Sequence, residues 1–228
     1  MSEVELTIGG QAKEPSSIRL VLTLAIAGMI SGFAIAGAYQ ITKPRIEANK
    51  ARALREAVFQ VVPGSSVMQK LVLRDGALVV LLENEQTDEP VVYGAYDEAG
   101  VFRGYALAND GAGFQDQIEL LYGYDPVKKR VVGMRILASR ETPGLGDKIF
   151  KDAAFVVIFD DLAVEPEIVV VKDGRDADHE VDAITGATIS AKAVVKIINE
   201  SNAFWLDQLP LEAPAYVPPV VEEGEGDE

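Results

Sequence analysis

Leu20–Tyr39 reads LVLTLAIAGMISGFAIAGAY, twenty residues without a charge. That length matches the ~20 residues a helix needs to cross the hydrocarbon core of a bilayer. Gly28, Gly32 and Gly37 suit such a helix, where small residues allow close helix contacts, and Gly28-Met-Ile-Ser-Gly32 has the spacing of a packing face. Ala34-Ile-Ala36 and Ala36-Gly-Ala38 resemble signal-peptide cleavage sites, but the run exceeds the ~7–15 apolar residues of a signal sequence. The pattern therefore predicts a retained transmembrane helix over 18–42, preceded by a flexible polar terminus over 1–17. Thr42–Val62 continues with a helical stripe of Ile46, Ala53, Leu54, Ala57, Val58 and Val61. Pro63-Gly64 ends it, giving a juxtamembrane helix over 43–64.

Beyond residue 65 the period shortens. Leu71–Arg74, Ala77–Leu82, Val91–Tyr96, Val101–Leu107, Gln117–Tyr124 and Val131–Ala138 read as strands. Asp75-Gly76, Asp97–Gly100 and Asp125-Pro126 mark turns between them. Loops this short imply antiparallel pairing. Asp147–Val156 reads as a helix, Ile168–Lys172 as a strand, and residues 191–205 as a final helix with Val194, Val195, Ile197, Ile198 and Trp205 on its apolar face. The fold class predicted is α+β: one N-terminal transmembrane helix, then an antiparallel sheet over 65–209 with flanking helices. From Pro210 to Glu228 the chain is rich in proline and then in acid, and reads as a solvated, disordered tail.

Composition narrows the chemistry. The net charge is −15 over 228 residues, which speaks against a nucleic-acid surface. Without cysteine there is no disulfide, no thiol nucleophile and no thiolate-held iron–sulfur cluster in this chain. The single histidine, His179, lacks ligands at zinc spacing and supports no Ser-His-Asp arrangement. The carboxylates Asp160, Asp161, Asp176, Asp178 and Glu180 fall where the chain turns and read as solvated. Tyr122 and Tyr124 share one face of their strand and read as core.

Two stretches remain. Asp182–Ser190, DAITGATIS, places the hydroxyls of Thr185, Thr188 and Ser190 just before the last helix. Unpaired N–H groups and the positive end of the macrodipole make a helix start a seat for phosphate. The plain alternative is that Thr188 or Ser190 caps the helix. Ser139–Lys148, SRETPGLGDK, holds a glycine-rich turn through which backbone can approach a ligand, or which simply connects strand to helix. It is neither a dinucleotide fingerprint, lacking the third glycine and a βαβ setting, nor a P-loop.

Together with the N-terminal span, the stretches GYALANDGAGFQDQIELLYGYD, ETPGLGDK and DAITGATIS resemble the covalent FMN-binding domain family over roughly residues 18–206. Within it the RnfG branch, from Rnf electron-transport complexes, is the nearer. The NqrC branch, from sodium-translocating NADH:quinone reductases, is the alternative. The resemblance implies an electron-transfer subunit of an ion-translocating ferredoxin:NAD oxidoreductase complex, with the other Rnf subunits, membrane and iron–sulfur, as partners. It implies FMN joined as a phosphoester to Thr188 by a separate flavin transferase, with Ser190 as fallback. Asp182, Thr185, Gly186 and Ala187 would form the transferase's recognition signature. Glu141, Thr142, Gly144, Leu145 and Gly146 would line the flavin, with Leu145 against the ring and Thr142 able to hydrogen-bond it. It also implies an FMN domain on the outer side of the cytoplasmic membrane. The basic residues after the span (Lys43, Arg45, Lys50, Arg52, Arg55) argue for the cytoplasm, although that rule weakens for long domains. A membrane-anchored binding module without redox chemistry is the competing class. A flavin reductase acting alone is disfavoured because no nicotinamide-binding motif is found.

Overall fold

The computed structural model describes residues 16–81, 85, 87–172 and 174–218. The expected flexible N-terminus therefore lies almost wholly outside the described residues, as do Leu82 of the second expected strand and the acidic end of the tail. The chain divides into two units, residues 1–50 and 51–228.

In the first unit the described residues are helical from Ser17 onward, as part of α1 (Ser17–Val61). Its most apolar window has a mean hydropathy of 2.1, and its described residues are exposed. Spanning and juxtamembrane helices, expected as two segments, form one element of 45 residues that continues through Pro44. At 1.5 Å per residue that is about 67 Å, twice the thickness of a ~30 Å hydrocarbon core. Proline costs a helix one N–H donor and clashes with the preceding turn, yet neighbouring turns can carry a helix past it.

The second unit is a seven-stranded antiparallel sheet in the order β2-β1-β3-β4-β5-β6-β7. Its strands are β1 (Val67–Arg74), β2 (Ala77–Val80), β3 (Val91–Tyr96), β4 (Phe102–Ala112), β5 (Gln117–Asp125), β6 (Arg130–Ser139) and β7 (Leu162–Ala163). The meander follows from the short turns, and Gly76 and Gly100 supply the positive φ two of them need. A separate parallel pair joins β8 (Val169–Val171) to β9 (Glu180–Asp182). The strands β7 and β9 are too short, at two and three residues, to show a period in the sequence.

Both faces of the sheet are covered. On one, α4 (Thr188–Trp205) buries Ala191, Val194, Ile197, Ile198 and Trp205 against Leu107, Leu120 and Tyr122. Val194, Ile197 and Ile198 each contribute about 1.5–3 kcal/mol by leaving water. Gly111 admits the helix, since a Cβ there would stand 2.7 Å from Ile197 Cγ1. The Tyr122 hydroxyl donates to Asn202 Oδ1 at 2.8 Å, so this tyrosine is core, as its spacing implied. On the other face Ala57, Val58, Val61 and Val62 pack on Ala95, Ala106 and Leu121. Gly123 and Gly133 are cross-strand partners beneath them. A Cβ on Gly133 would lie 2.7 Å from both Cα and the carbonyl oxygen of Val61. With both faces buried, Leu120 and Leu121 are both inside and simple alternation is lost in β5.

Two expectations change. The helix expected over Asp147–Val156 is broken into α2 (Lys148–Lys151) and α3 (Ala153–Val156), followed by a 3-10 turn at 157–160. Asp152 is extended between them, and its carboxylate caps Ala154 N–H at 3.0 Å. The segment from Pro210, expected to be disordered, is fastened to the sheet through Val217. Gln69 donates to the carbonyls of Pro214 (3.0 Å) and Ala215 (3.2 Å) and accepts Val217 N–H (3.0 Å). The Tyr96 hydroxyl donates to Pro214 C=O at 2.6 Å, and the Tyr105 hydroxyl to Pro210 C=O at 3.0 Å. Composition alone misses this because the strap is held by its backbone carbonyls, which every sequence has.

Candidate functional site

Three loops meet at the N-terminal end of α4: the β4–β5 connection at 113–116, the β6–α2 connection at 140–147, and the β9–α4 turn at 183–187. Glu141 ties the first two together. It is buried, and its Oε1 accepts the N–H groups of Phe114 (2.8 Å) and Gln115 (2.9 Å). Its Oε2 accepts the Ser190 hydroxyl at 2.6 Å, which extends the tie to α4. Burial pushes the Glu141 carboxyl up. The bonds from Ser190 and from the backbone of Gln115, Phe114 and Asp116 outweigh burial and hold it below the usual carboxylate range. Gly113 and Gly146 flank this carboxylate, and a Cβ on either would collide with it. A glycine-rich loop here makes room for a buried charge.

The second tie is Thr142, whose hydroxyl donates to Gln115 Oε1 at 2.6 Å. The turn closes through Leu145 N–H to Thr142 C=O (3.1 Å) and Gly144 N–H to Asp147 Oδ1 (2.8 Å). Gly144 has φ +79°, which favours glycine. Asp147 is buried and pairs with Lys151 at 2.6 Å, and the bond from Lys151 holds its carboxyl low.

The third tie is Lys148, whose Nζ donates to Thr185 C=O at 2.9 Å. Leu145 and Lys148 both stand over Gly186, each 3.6 Å from where its Cβ would be. Gly186 has φ +83°, and this turn delivers Ala187 to the N-cap position. The helix starts at Thr188, three residues ahead of the start expected from its apolar face. Neither Thr188 nor Ser190 caps it. Ala187 C=O accepts Ala191 N–H at 2.9 Å, and no side chain takes the N–H groups of Thr188, Ile189 and Ser190 among the described residues.

The hydroxyls differ in access. Ser190 is buried and engaged by Glu141. Thr188 is half-buried, and its hydroxyl makes one long bond, 3.3 Å, to Ile184 C=O. Thr185 is exposed. Asp182 closes β9 half-buried, with Oδ1 lacking a partner among the described residues. Every residue singled out from the two motifs belongs to these loops, to the end of β9 or to the first turn of α4. Leu145, Phe114 and Ile189 are exposed apolar side chains, one on the 140–147 loop, one on the 113–116 loop and one beside Thr188 on α4. Phe114, Gln115 and Lys148 are not among the residues the two motifs single out. Lys148 closes the ETPGLGDK motif, and that position is the one sequence signal for it.

Elsewhere Asp160, Asp161, Asp176 and Asp178 are exposed, as expected, and Glu180 is half-buried. Arg130 pairs with Asp161 and Asp178, and Glu180 accepts the N–H groups of Asp176 and Ala177. Among the described residues no group of three or more His, Asp or Glu is placed to hold a metal.

Residues 113–202 match the model of the FMN-binding domain, and residues 11–61 that of the RnfG N-terminal region. The chain is 30% identical over 195 residues to the G subunit of the ion-translocating oxidoreductase complex of Haemophilus influenzae (strain PittEE), covering 83% of this chain and 90% of the relative. It is 31% identical to the corresponding protein of Shewanella amazonensis, over 84% of this chain and 89% of that one. It is 32% identical to the G subunit of the proton-translocating ferredoxin:NAD(+) oxidoreductase complex of Clostridium ljungdahlii, over 83% and 92%. Among solved structures, Shewanella oneidensis NqrC shares the fold at a TM-score of 0.54 and 16% identity, over 73% of this chain and 94% of that one.

Proposed function

This chain belongs to the RnfG family of ion-translocating oxidoreductase subunits, and from that membership we propose that it is the membrane-anchored, FMN-carrying electron-transfer subunit of an ion-translocating ferredoxin:NAD oxidoreductase complex. The observation that carries the reading is the coincidence of the FMN-binding match with the meeting of both motifs at one helix start. Similarity at 30–32% along about nine-tenths of the RnfG-type relatives favours that complex over a quinone reductase. The likeness to NqrC speaks only for a common fold.

The residues present fit the flavin. Thr188 offers a reachable hydroxyl as the phosphoester acceptor. The N–H groups of Thr188, Ile189 and Ser190, which no side chain takes among the described residues, suit an adjoining anion. Asp182 Oδ1 has spare acceptor capacity for a donor such as a ribityl hydroxyl. Leu145 and Phe114 supply exposed apolar contact for an aromatic ring. When bound, FMN supplies the electron-transfer chemistry, and the protein supplies position and surroundings. Thr188 tethers, Thr142 and Gln115 fix the loops, and Glu141 holds those loops to α4. Ser190, buried against Glu141, supports the site without being the acceptor. The turn from Asp182 to Ala187 presents the threonine to a flavin transferase, the maturation partner. With no cysteine, the chain exchanges electrons with other subunits of the complex.

The span within α1 anchors the protein, and the FMN domain lies on the outer face of the cytoplasmic membrane. The basic residues at 43–55 count against this placement, but they precede a long domain, where their influence is weak. A reporter fused after Glu228 tests it: activity confined to the cytoplasm overturns the placement. For the cofactor, the full chain is co-expressed with a flavin transferase and run on a denaturing gel. A fluorescent band that disappears in Thr188→Ala is expected; a dark wild-type band refutes covalent attachment.

A further inference from the structure

Lys148 is held at the centre of the site and has no carboxylate partner among the described residues. Its neighbour on the same short helix, Lys151, is paired with Asp147 at 2.6 Å. Lys148 Nζ donates one bond, 2.9 Å to Thr185 C=O, and lies 3.6 Å from the site of a Cβ on Gly186. An ammonium has three N–H donors, so two remain for a ligand. They are held over the turn that leads, two residues on, to Thr188.

The surroundings call for a cation. Glu141 is ionised at neutral pH and touches the first turn of α4 through Ser190, which opposes any anion seated there. The helix start gives three N–H groups and a partial positive charge, but no full one. We infer that Lys148 is the counter-charge for the phosphate group held at Thr188, its ammonium fixed by Thr185 so that it meets the phosphate oxygens. This rests on Thr188 as the attachment point and adds a residue to that site. Lys192, one turn along α4 from Thr188, faces a different groove with Glu167 and Val169, and is not its substitute.

Two substitutions separate charge from shape. Lys148→Gln keeps a donor for Thr185 C=O and loses the charge; Lys148→Arg keeps the charge. The full chain is incubated with limiting flavin transferase and FAD, and labelling is followed by in-gel fluorescence. Lys148→Gln is expected to label about tenfold more slowly, the order lost with one charge-assisted hydrogen bond, while Lys148→Arg stays within a few-fold of wild type. Labelled to completion, Lys148→Gln is expected to shift the phosphorus-31 resonance of the protein; Lys148→Arg and the remote control Lys129→Gln are not. Equal labelling of wild type and Lys148→Gln overturns the inference. So do equal slowing by both substitutions and an unmoved phosphorus resonance, which would assign Lys148 to transferase recognition. An unlabelled wild type, or labelling that survives Thr188→Ala, overturns the attachment point itself and is told apart from these by the wild-type and Thr188→Ala lanes.

Discussion

Replacing Glu141 tests whether one buried carboxylate holds the three loops together. Glu141→Ala removes the acceptor for Phe114 N–H, Gln115 N–H and the Ser190 hydroxyl. The two amides sit in an exposed loop and can turn to water, at a net loss of roughly 0.5–1.5 kcal/mol each. The Ser190 hydroxyl is buried, and leaving it unsatisfied costs about 1–3 kcal/mol. Released desolvation of the carboxylate offsets part of this, so a total near 2–4 kcal/mol is expected. For a domain of this size that lowers Tm by about 5–15 °C. Glu141→Gln keeps an acceptor for both amides, and its NH2 can donate to Ser190 Oγ, so it stays within ~1 kcal/mol of wild type at pH 7. Only the carboxylate form then loses stability as the pH falls. The folded carboxyl lies below its ordinary value of 4.5, so its contribution is complete above about pH 4.5 and is lost as pH falls through the lower folded value. Thermal melts of the full chain in detergent, from pH 7 downward, should show any advantage of wild type over Glu141→Gln shrinking below pH 4.5. An alanine variant as stable as wild type, or a gap that widens in acid, refutes the reasoning.

Gly133→Ala places a methyl 2.7 Å from Val61 and should destabilise the fold by about 1–3 kcal/mol in denaturant melts, with Gly144→Ala, where nothing is near, losing only what its positive φ demands. Gln69→Ala should free the strap at 214–217 and raise amide exchange at Val217, whose N–H now bonds Gln69 Oε1 at 3.0 Å. Ser190→Ala should lower Tm by a few degrees and leave flavin labelling intact, because Glu141 already occupies that hydroxyl; loss of label with a folded protein would move the attachment to Ser190.

Much of this was legible in the chain. The strand at Val91–Tyr96 begins and ends where its pattern says, and the meander follows from the turns. Six of the seven expected strands begin within one residue of their expected starts, while β1 begins at Val67, four residues before Leu71. Errors arose where tertiary contacts decide. The start of α4 is set by the Gly186 turn and by Glu141, forty-nine residues away from Ser190, which no local cap rule contains. Gly123 and Gly133 look like weak points in strands until the end of α1 is found lying on them. The Pro210 segment reads as disordered because its anchors are Gln69, Tyr96 and Tyr105 on distant strands. The motifs named the loops of the site, and only the folded chain shows which side chains join them.

The central claim is that the hydroxyl of Thr188 carries the flavin. Tryptic cleavage after Arg175 and Lys192 isolates one peptide containing Thr185, Thr188 and Ser190. Fragmentation of that peptide from the mature protein should find the mass of FMN less one water on Thr188, and none on the other two. The same added mass on Thr185 or Ser190, or an unmodified peptide from protein matured with an active flavin transferase, would contradict the account.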